Sequence, residues 1–439
     1  MDSSMLLEAD PAKRPLVLSE PAPNQREWAI KVLQRGYEAS GHTNAIWDKT
    51  AKAVFLAFAD YTRISDTNWP ALRAAIATLS TSGCDDSMVQ YILARYPAEA
   101  EAKEVTAAKL IRAHDAILKS RHHPLFKFMA GLRAVQSARS ADKQSERSSR
   151  ISWVTANLVD TTRDTNAPVE EVFQAVDLWL RHSHGKGWGE YVLNHVGPFL
   201  KQNWEQTDLW PVMQGRMEIE QAWSNRGGGY AHKVSADGWQ GFEAHLAKAE
   251  EYLTLAWEKK TSKAEIAYLM MRVELGQGRG RPRMEQWFNR AMTLETNFYD
   301  AAKLMSFYLE PRWYGSDEVA LKFARSCVTT DRWGGAVPLV LADLHRSLAK
   351  YHYPSNAVVY WKQPEVWPDV RNSYEKFFQL NPEAVSYHHN YAMDAYRCGQ
   401  HGVFLKQTGF FLGGTNYAFF GGQSEFEAMV KESRERVGQ

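Results

Sequence analysis

The sequence predicts an all-α fold whose C-terminal half is an array of stacked helical hairpins. Three observations lead to this prediction. From Asn24 onward, apolar residues recur at helical spacing almost without pause. No segment shows the sustained alternation of apolar and polar residues between hairpin turns that a half-buried sheet needs. In the second half of the chain, a pattern of large and small apolar side chains recurs about every 34 residues.

Length, composition and charge limit the classes of protein to which the chain can belong. The 439 residues correspond to about two or three ordinary domains, or to one elongated array of repeats. Hydrophobic residues make up 44% of the chain and charged residues 23%, so enough apolar surface is available to order the chain. The 52 Lys and Arg and 51 Asp and Glu leave a net charge of +1, which favours neither a nucleic acid nor an anionic membrane as partner.

The sequence favours a cytoplasmic location. The three cysteines, Cys84, Cys327 and Cys398, are too few for a disulfide-stapled secreted scaffold and suit a reducing compartment. The N-terminus lacks the basic segment and long apolar core of a secretory signal. The longest clean apolar run, residues 53–59, is far shorter than the roughly 20 residues that cross a bilayer. A processed or exported protein is the alternative.

The N-terminal half is predicted to be an irregular helical block that precedes the repeats. Residues 1–23 carry four prolines among charges and are predicted to be a flexible tail. Helical patterns fill residues 24–138, the N-terminal helical block. Residues 139–150 almost lack apolar side chains and are predicted to be a polar linker, with an exposed helix as the alternative. Helical periodicity resumes over residues 151–225, a connector block.

Residues 226–439 are predicted to form the helical repeat domain. The second helix of each hairpin carries apolar side chains at i, i+4 and i+7, and the last must be small so that the neighbouring helix can approach. Two segments fit this pattern fully and close with Ala256 and Ala291, and a third, which closes with Ala324, fits at its second and third positions; the three alanines are 35 and 33 residues apart. This spacing is typical of tetratricopeptide-like hairpins.

A fourth copy of the pattern, Val370, Tyr374 and Phe377, is displaced by one period plus roughly 20 residues. Leu380-Asn381-Pro382 follows it and is typical of the end of such a second helix. The excess is assigned to an insertion at residues 351–368, which is rich in proline and aromatic residues. The first helices of the four hairpins are predicted at residues 264–275, 298–309, 336–350 and 384–398.

Short motifs in the second half of the chain point to a family. They read RGGGYA at 226–231, GWQGF at 238–242, MEQWFNRA at 284–291 and LEPRWYGS at 309–316. Together they resemble a bacterial domain-of-unknown-function family (number 4034), and the resemblance covers residues 220–350. It implies a tetratricopeptide-like helical protein and supplies no reaction, cofactor or catalytic residue. The first three predicted second helices lack the terminal proline of the usual tetratricopeptide pattern.

A glycine- and arginine-rich segment at residues 276–283 superficially resembles a phosphate-binding loop. A dinucleotide fingerprint needs a strand before the glycines, whereas here a predicted helix precedes them. We interpret the segment as a turn between helices, with Gly as the C-cap and Pro282 near the start of the next helix. An anion site formed by Arg279, Arg281 and Arg283 is the alternative.

Arginines and exposed aromatic residues are the best sequence-level candidates for a binding surface, because both are enriched in binding hot spots. Arg312 and Trp313 lie in a turn between two predicted helices, and Ser316 is predicted to cap the start of the second helix. Trp361 and Trp367 lie in the insertion and are candidates to line a concave groove. The predicted ligand- or partner-binding residues are Arg279, Arg281, Arg312, Trp313, Trp361 and Trp367.

The sequence indicates no metal site, cofactor or catalytic group. Its histidine clusters combine with no Cys or carboxylate at zinc spacing. No Gly-x-Ser-x-Gly, Walker or kinase motif is present. Cys327 falls on the apolar face of a predicted helix and is interpreted as a core thiol rather than a nucleophile.

These observations favour a non-enzymatic scaffold that binds a protein or peptide on the concave face of the repeats. The alternative is an enzyme or small-ligand binder with a polar site between the N-terminal block and the repeats, using residues Arg279, Arg281, Arg312, Asp343 and His345. A third hypothesis is an effector or immunity-type protein in which residues 24–225 carry the activity.

Overall fold

The structure, a computed structural model, describes residues 23–63, 69–97, 102–140, 144–182, 187–259, 263–382, 384–411 and 415–438. These residues form helices and connecting turns and contain no strand, which confirms the predicted fold class. Residues 1–22 of the predicted tail lie outside the described residues. None of the described helices is both long enough and apolar enough to span a membrane.

The chain divides into two compact units on either side of residue 262. The helices of the first unit are α1 (Pro23–Ser40), α2 (Asp48–Arg63), α3 (Trp69–Ser80), α4 (Ser87–Arg95), α5 (Lys103–Leu118), α6 (Pro124–Ser140), α7 (Gln144–Arg163), α8 (Val169–Leu180), α9 (Trp188–Asn203), α10 (Leu209–Arg226) and α11 (Ala236–Glu258). One apolar core lies among α1–α6 and a second among α6–α10. Helix α6 contributes side chains to both cores, because Phe126 packs in the first core and Phe128 packs in the second.

Residues 144–150, which were predicted to belong to the polar linker, are helical and begin α7. The contacts of Arg150 explain why residues 144–150 are helical. Its guanidinium donates to Asp115 at 2.5 Å and lies 3.0 Å from Nδ1 of His114, so the polar start of α7 is held against α5. The helical alternative therefore describes residues 144–150, whereas residues 141–143 lie outside the described residues.

Helix α11, which carries the first predicted closing residue Ala256, falls in the first unit rather than with the later hairpins. Its partner there is α10, with which it packs along much of its length. Gly215 allows this approach, because a Cβ at that position would lie 2.6 Å from Cγ of Leu253. The unit boundary thus follows α11, whereas the repeat domain was predicted to begin at residue 226.

The second unit contains α12 (Ala264–Gln277), α13 (Arg281–Leu294), α14 (Tyr299–Tyr308), α15 (Asp317–Thr329), α16 (Val340–His352), α17 (Val358–Trp361), α18 (Val366–Leu380), α19 (His388–Arg397), α20 (His401–Thr408) and α21 (Gln423–Val437). Pairs α12/α13, α14/α15, α16/α18 and α19/α20 are the hairpins. The first helices α12, α14 and α16 pack side by side, and each second helix also packs on the first helix of the next hairpin. This is the predicted tetratricopeptide-like arrangement.

The small closing residues lie where the repeat pattern predicts. Ala291 on α13 and Ala324 on α15 are fully buried, and Phe377, the closing residue of the fourth copy on α18, is 1% exposed. The glycine-rich segment 276–283 is a turn, because Gly278 ends α12 in a left-handed conformation with φ +62°. Pro282 then lies in the first turn of α13.

The insertion is shorter than predicted and is itself partly helical. Helix α16 continues to His352 and α18 begins at Val366, so the inserted chain is residues 353–365. The short helix α17 lies within it and packs against both α16 and α18.

We expect Ala291→Arg to destabilise the protein by about 3 kcal/mol or more, because it places an unpaired charge in a buried contact between helices. The matched control is Thr293→Arg on the same helix, where the side chain is exposed. Chemical denaturation of both variants measures the difference. Equal unfolding midpoints for the two variants would contradict the assigned repeat register.

Candidate functional site

A groove of about 350 Å³ crosses the first helices of three successive hairpins, α12, α14 and α16. We call it the first-helix groove. It is lined by Tyr268, Asp300, Lys303, Leu304, Ser306, Phe307, Glu310, Val340, Asp343, Leu344 and Ser347. The repeat stacking creates it, because it places the three first helices side by side.

Apolar side chains form much of the groove wall. Val340 and Leu344 on α16 are buried, and Leu304 and Phe307 on α14 are half-buried. At the α12 side, the ring of Tyr268 lies 5.4 Å from that of Phe298, measured between centroids. These walls suit the aliphatic or aromatic part of a ligand.

Three side chains, those of Tyr299, Arg346 and Lys303, surround the carboxylate of Asp343. It accepts hydrogen bonds from the Tyr299 hydroxyl and, at 2.5 Å, from Nη1 of Arg346. Nζ of Lys303 lies 3.7 Å away. Burial, together with the charge and hydrogen bond of Asp343, raises the pKa of Tyr299, so its hydroxyl remains a donor.

Behind Asp343, Arg346 joins helices α16, α18 and α19 in a polar network. It donates to Tyr374 and, at 2.5 Å, to Oδ2 of Asp394. Tyr374 and Arg397 also donate to Asp394, each at 3.0 Å. Burial alone lowers the pKa of Arg346, but Tyr374 and Asp394 more than offset this effect and raise it. We call these residues, with Asp343, the Arg346 network.

Glu310 and Arg312 form a second polar pair at the end of the groove. The Glu310 side chain is only 3% exposed and accepts hydrogen bonds from Arg312 at 2.6 Å and from Ser347 at 2.8 Å. Burial raises the pKa of Glu310, although both partners oppose this effect. The Arg312 guanidinium also lies over the ring of Phe307, 4.7 Å from its centroid.

Two groove residues differ from these engaged groups. The carboxylate of Asp300 is exposed, and its charge adds to the effect of burial in raising the pKa of Glu295. Ser306 is 4% exposed, and its hydroxyl has no hydrogen-bond partner within the described part of the chain. A buried hydroxyl without a hydrogen-bond partner lowers the free energy of unfolding, so the Ser306 side chain destabilises the fold.

The structure brings two of the predicted binding residues, Arg312 and Trp313, to the end of the first-helix groove. Arg312 contacts the groove residues Phe307, Glu310 and Ser347. Trp313 is half-buried, with its ring 5.4 Å from that of Phe307.

Arg279 and Arg281 lie instead at the turn between α12 and α13. Arg279 binds the buried carboxylate of Glu274 at 3.1 Å, and Arg283 binds the same carboxylate at 2.8 Å. Arg281 binds Glu285 at 2.7 Å. Their charges are matched by carboxylates of their own hairpin, so the arginines stabilise the turn.

The expectation that the insertion tryptophans line a groove is wrong for Trp361. It is 4% exposed, because α17 packs it and Tyr360 against the neighbouring helices. The guanidinium of Arg397 covers its ring at 5.5 Å. Trp367 is half-buried and stacks on Tyr391 with 6.2 Å between ring centroids. Neither tryptophan lines the first-helix groove.

Asp343 and His345 point in different directions from α16, as their spacing predicts. Asp343 lines the groove, whereas His345 is buried, with Nε2 3.2 Å from Asp369 and Nδ1 2.8 Å from the Tyr360 hydroxyl. Cys327 is fully buried, and burial raises the pKa of its thiol. No group of three His, Cys, Asp or Glu side chains suited to a metal ion occurs among the described residues.

Most of the groove residues are not among the predicted binding residues, although the sequence contains a pattern that relates them. Asp300, Lys303, Phe307 and Glu310 are spaced by three, four and three residues, so they share one face of α14 and its C-terminal end. Apolar periodicity predicts the first helices through their buried faces, whereas the more polar face of α14 contributes to the groove.

No protein-family model matches the chain, and no curated protein matches it either. The resemblance to the bacterial family number 4034 therefore stays a prediction.

We expect Ser306→Ala to raise the free energy of unfolding by about 1 kcal/mol, because it removes a buried hydroxyl that has no partner. The matched control is Ser373→Ala, since the Ser373 hydroxyl donates to the carbonyl of Pro338 at 2.7 Å and its loss should be destabilising. Denaturant titration measures both variants. A loss of stability in Ser306→Ala as large as in the control would show that the Ser306 hydroxyl is bonded.

Proposed function

We propose that this protein is a non-enzymatic scaffold that binds a segment of a partner protein in the first-helix groove. The observation that carries the proposal is the groove itself, which crosses three consecutive first helices and combines apolar walls with polar side chains. Helical repeat arrays commonly present such a surface to an extended or helical segment.

The polar groups of the groove suit a polypeptide ligand. Asp300 and Lys303 are exposed, so they can bind the backbone or side chains of an incoming segment. Tyr268 and Phe307 offer half-buried rings for its apolar side chains. Anchor residues packed between polar contacts are the usual composition of a protein interface.

The alternative, an enzyme or small-ligand binder, receives less support from its own residues. Arg312 and Asp343 meet at the first-helix groove, whereas His345 is buried in a separate network. Arg279 and Arg281 hold the turn between α12 and α13. A general base and a substrate-binding arginine need to converge on one site, which these five residues do not do.

A cytoplasmic location belongs to the same proposal. Cys84, Cys327 and Cys398 are all free and buried. A reducing compartment suits three unpaired thiols.

Site-specific photocrosslinking tests the scaffold proposal. We expect benzoylphenylalanine in place of Lys303, whose side chain is 54% exposed in the groove, to crosslink a polypeptide in an extract of the cells that produce the protein. The matched control carries the same group in place of Glu318, an exposed residue of α15 outside the groove. Asp300→Arg in the Lys303 variant should reduce the crosslinked product at least about tenfold, since the longer side chain obstructs the groove.

Equal crosslinking from the two positions would mean that the groove is not the binding surface. The absence of any polypeptide product from the Lys303 position would remove the scaffold proposal.

A further inference from the structure

We propose that Arg95 on α4 and Arg133 on α6 together form a binding site for a phosphate group. This inference goes beyond the scaffold proposal, because the two arginines belong to the first unit and the first-helix groove to the second.

The fold brings the two arginines into one aromatic environment. Helices α4 and α6 pack against each other, with Arg95 in the last turn of α4 and Arg133 in the middle of α6. Besides burial, the same three tyrosines affect the pKa of both guanidinium groups, namely Tyr61 of α2, Tyr91 of α4 and Tyr96. The two cations therefore lie near the same rings.

Carboxylates do not balance the charge of this pair. Among the described residues, neither guanidinium forms an ion pair with an acidic side chain. Burial and the neighbouring charge of Arg95 lower the pKa of Arg133, as expected for two like charges. The pair thus carries a repulsion that a bound anion would remove.

A helix end offsets only part of this charge. The last carbonyl groups of α4 carry about half a negative charge and lie next to Arg95. Arg133 is away from both ends of α6 and receives no such compensation. An excess of roughly 1.5 positive charges therefore remains at the pair.

Most of the hydrogen-bond donors of both groups are open to a ligand. Each guanidinium has five N–H donors. Arg95 donates to the Tyr91 hydroxyl at 3.2 Å, and Arg133 donates to Oε1 of Gln136 at 3.0 Å. Neither group forms a further hydrogen bond within the described part of the chain. Arg95 is half-buried and Arg133 is exposed, so a ligand can reach the pair from solvent.

Aromatic rings hold Arg95 in position. Its guanidinium lies 4.8 Å from the ring centroid of Tyr96 and 6.0 Å from that of Phe58. The Tyr96 ring packs in turn against Tyr61 and Trp69, with 5.5 and 5.6 Å between centroids. These cation–π contacts use the face of the guanidinium and leave its N–H edges free. They explain the position of Arg95, but not the presence of a second arginine beside it.

A phosphate group matches the pair better than a carboxylate does. A phosphate monoester carries about −1.5 to −2 charge at pH 7 and three acceptor oxygens, which is enough to neutralise the excess at the two arginines. Each guanidinium can bind two phosphate oxygens in a fork, whereas a carboxylate offers one charge and two oxygens. The Tyr61 hydroxyl forms no hydrogen bond with the described residues and is a further donor.

Isothermal titration calorimetry of the full chain in a phosphate-free buffer tests the site. The ligands are inorganic phosphate and three Ala/Gly peptides that differ only at the central residue, which is phosphoserine, glutamate or serine. We expect inorganic phosphate or the phosphoserine peptide to bind at least about tenfold more tightly than the glutamate peptide. The tighter of these two ligands shows whether the phosphate is free or carried by a polypeptide.

Three variants assign the binding to the pair. Arg95→Gln and Arg133→Gln should each weaken phosphate binding at least about tenfold, since each removes one charge and one fork. The matched control Arg139→Gln, which removes an exposed arginine from the last turn of α6, should bind like the unmodified protein. Phosphate should raise the thermal unfolding midpoint of the control but not of Arg133→Gln.

Several outcomes would overturn the assignment. These are failure of both phosphate ligands to bind, equal binding of the glutamate and phosphoserine peptides, and unchanged phosphate binding by Arg133→Gln. An equal rise of the unfolding midpoint in Arg133→Gln and Arg139→Gln would likewise reduce the effect of phosphate to a general salt effect and overturn the site. Each of these results leaves crosslinking from the Lys303 position, and hence the scaffold proposal, unaffected.

Discussion

The close approach of successive hairpins is the constraint on which the second unit depends. Ala291 and Ala324 are fully buried at positions where a second helix meets its neighbours, and a larger side chain there would force the helices apart. This contact also determines the groove. Because the hairpins stack closely, α12, α14 and α16 lie side by side and their exposed faces form one continuous surface. Small side chains in the core therefore set the width of the proposed binding site, although they do not line it.

Ion pairs between buried side chains hold the Asp343 carboxylate in a fixed position in the groove. Asp394 is 1% exposed in its side chain, and removing it from water is costly unless its partners are in place. Arg346, Tyr374 and Arg397 all donate to it, and Arg346 also holds Asp343 at the groove. The orientation of the groove carboxylate is thus fixed by residues from three helices. Such preorganisation would reduce the entropy lost on binding of the proposed partner segment.

The periodicity of apolar residues predicted many helices of the second unit. Each of these helices buries one face, and the apolar residues of that face recur at helical spacing in the sequence. The predicted bounds of α12, α14 and α16, and the end of α18 at Leu380, agree with the structure to within a few residues. Contacts between residues that are far apart along the chain leave weaker patterns in the sequence. The Gly215–Leu253 contact pairs α11 with α10, and α17 buries Trp361, yet neither contact has a local pattern. The groove was missed because its residues on α14 resemble an ordinary solvated helix face.

The Arg346 network lies where the inserted chain interrupts the repeat, since α17 separates α16 from its hairpin partner α18. Helical repeat arrays have mainly nearest-neighbour contacts, so their ends can unravel one repeat at a time. A guanidinium that binds groups on α18 and α19 opposes such stepwise loss. The α16/α18 hairpin and the α19/α20 hairpin that follows it should consequently melt together as a single cooperative block, despite the break in periodicity.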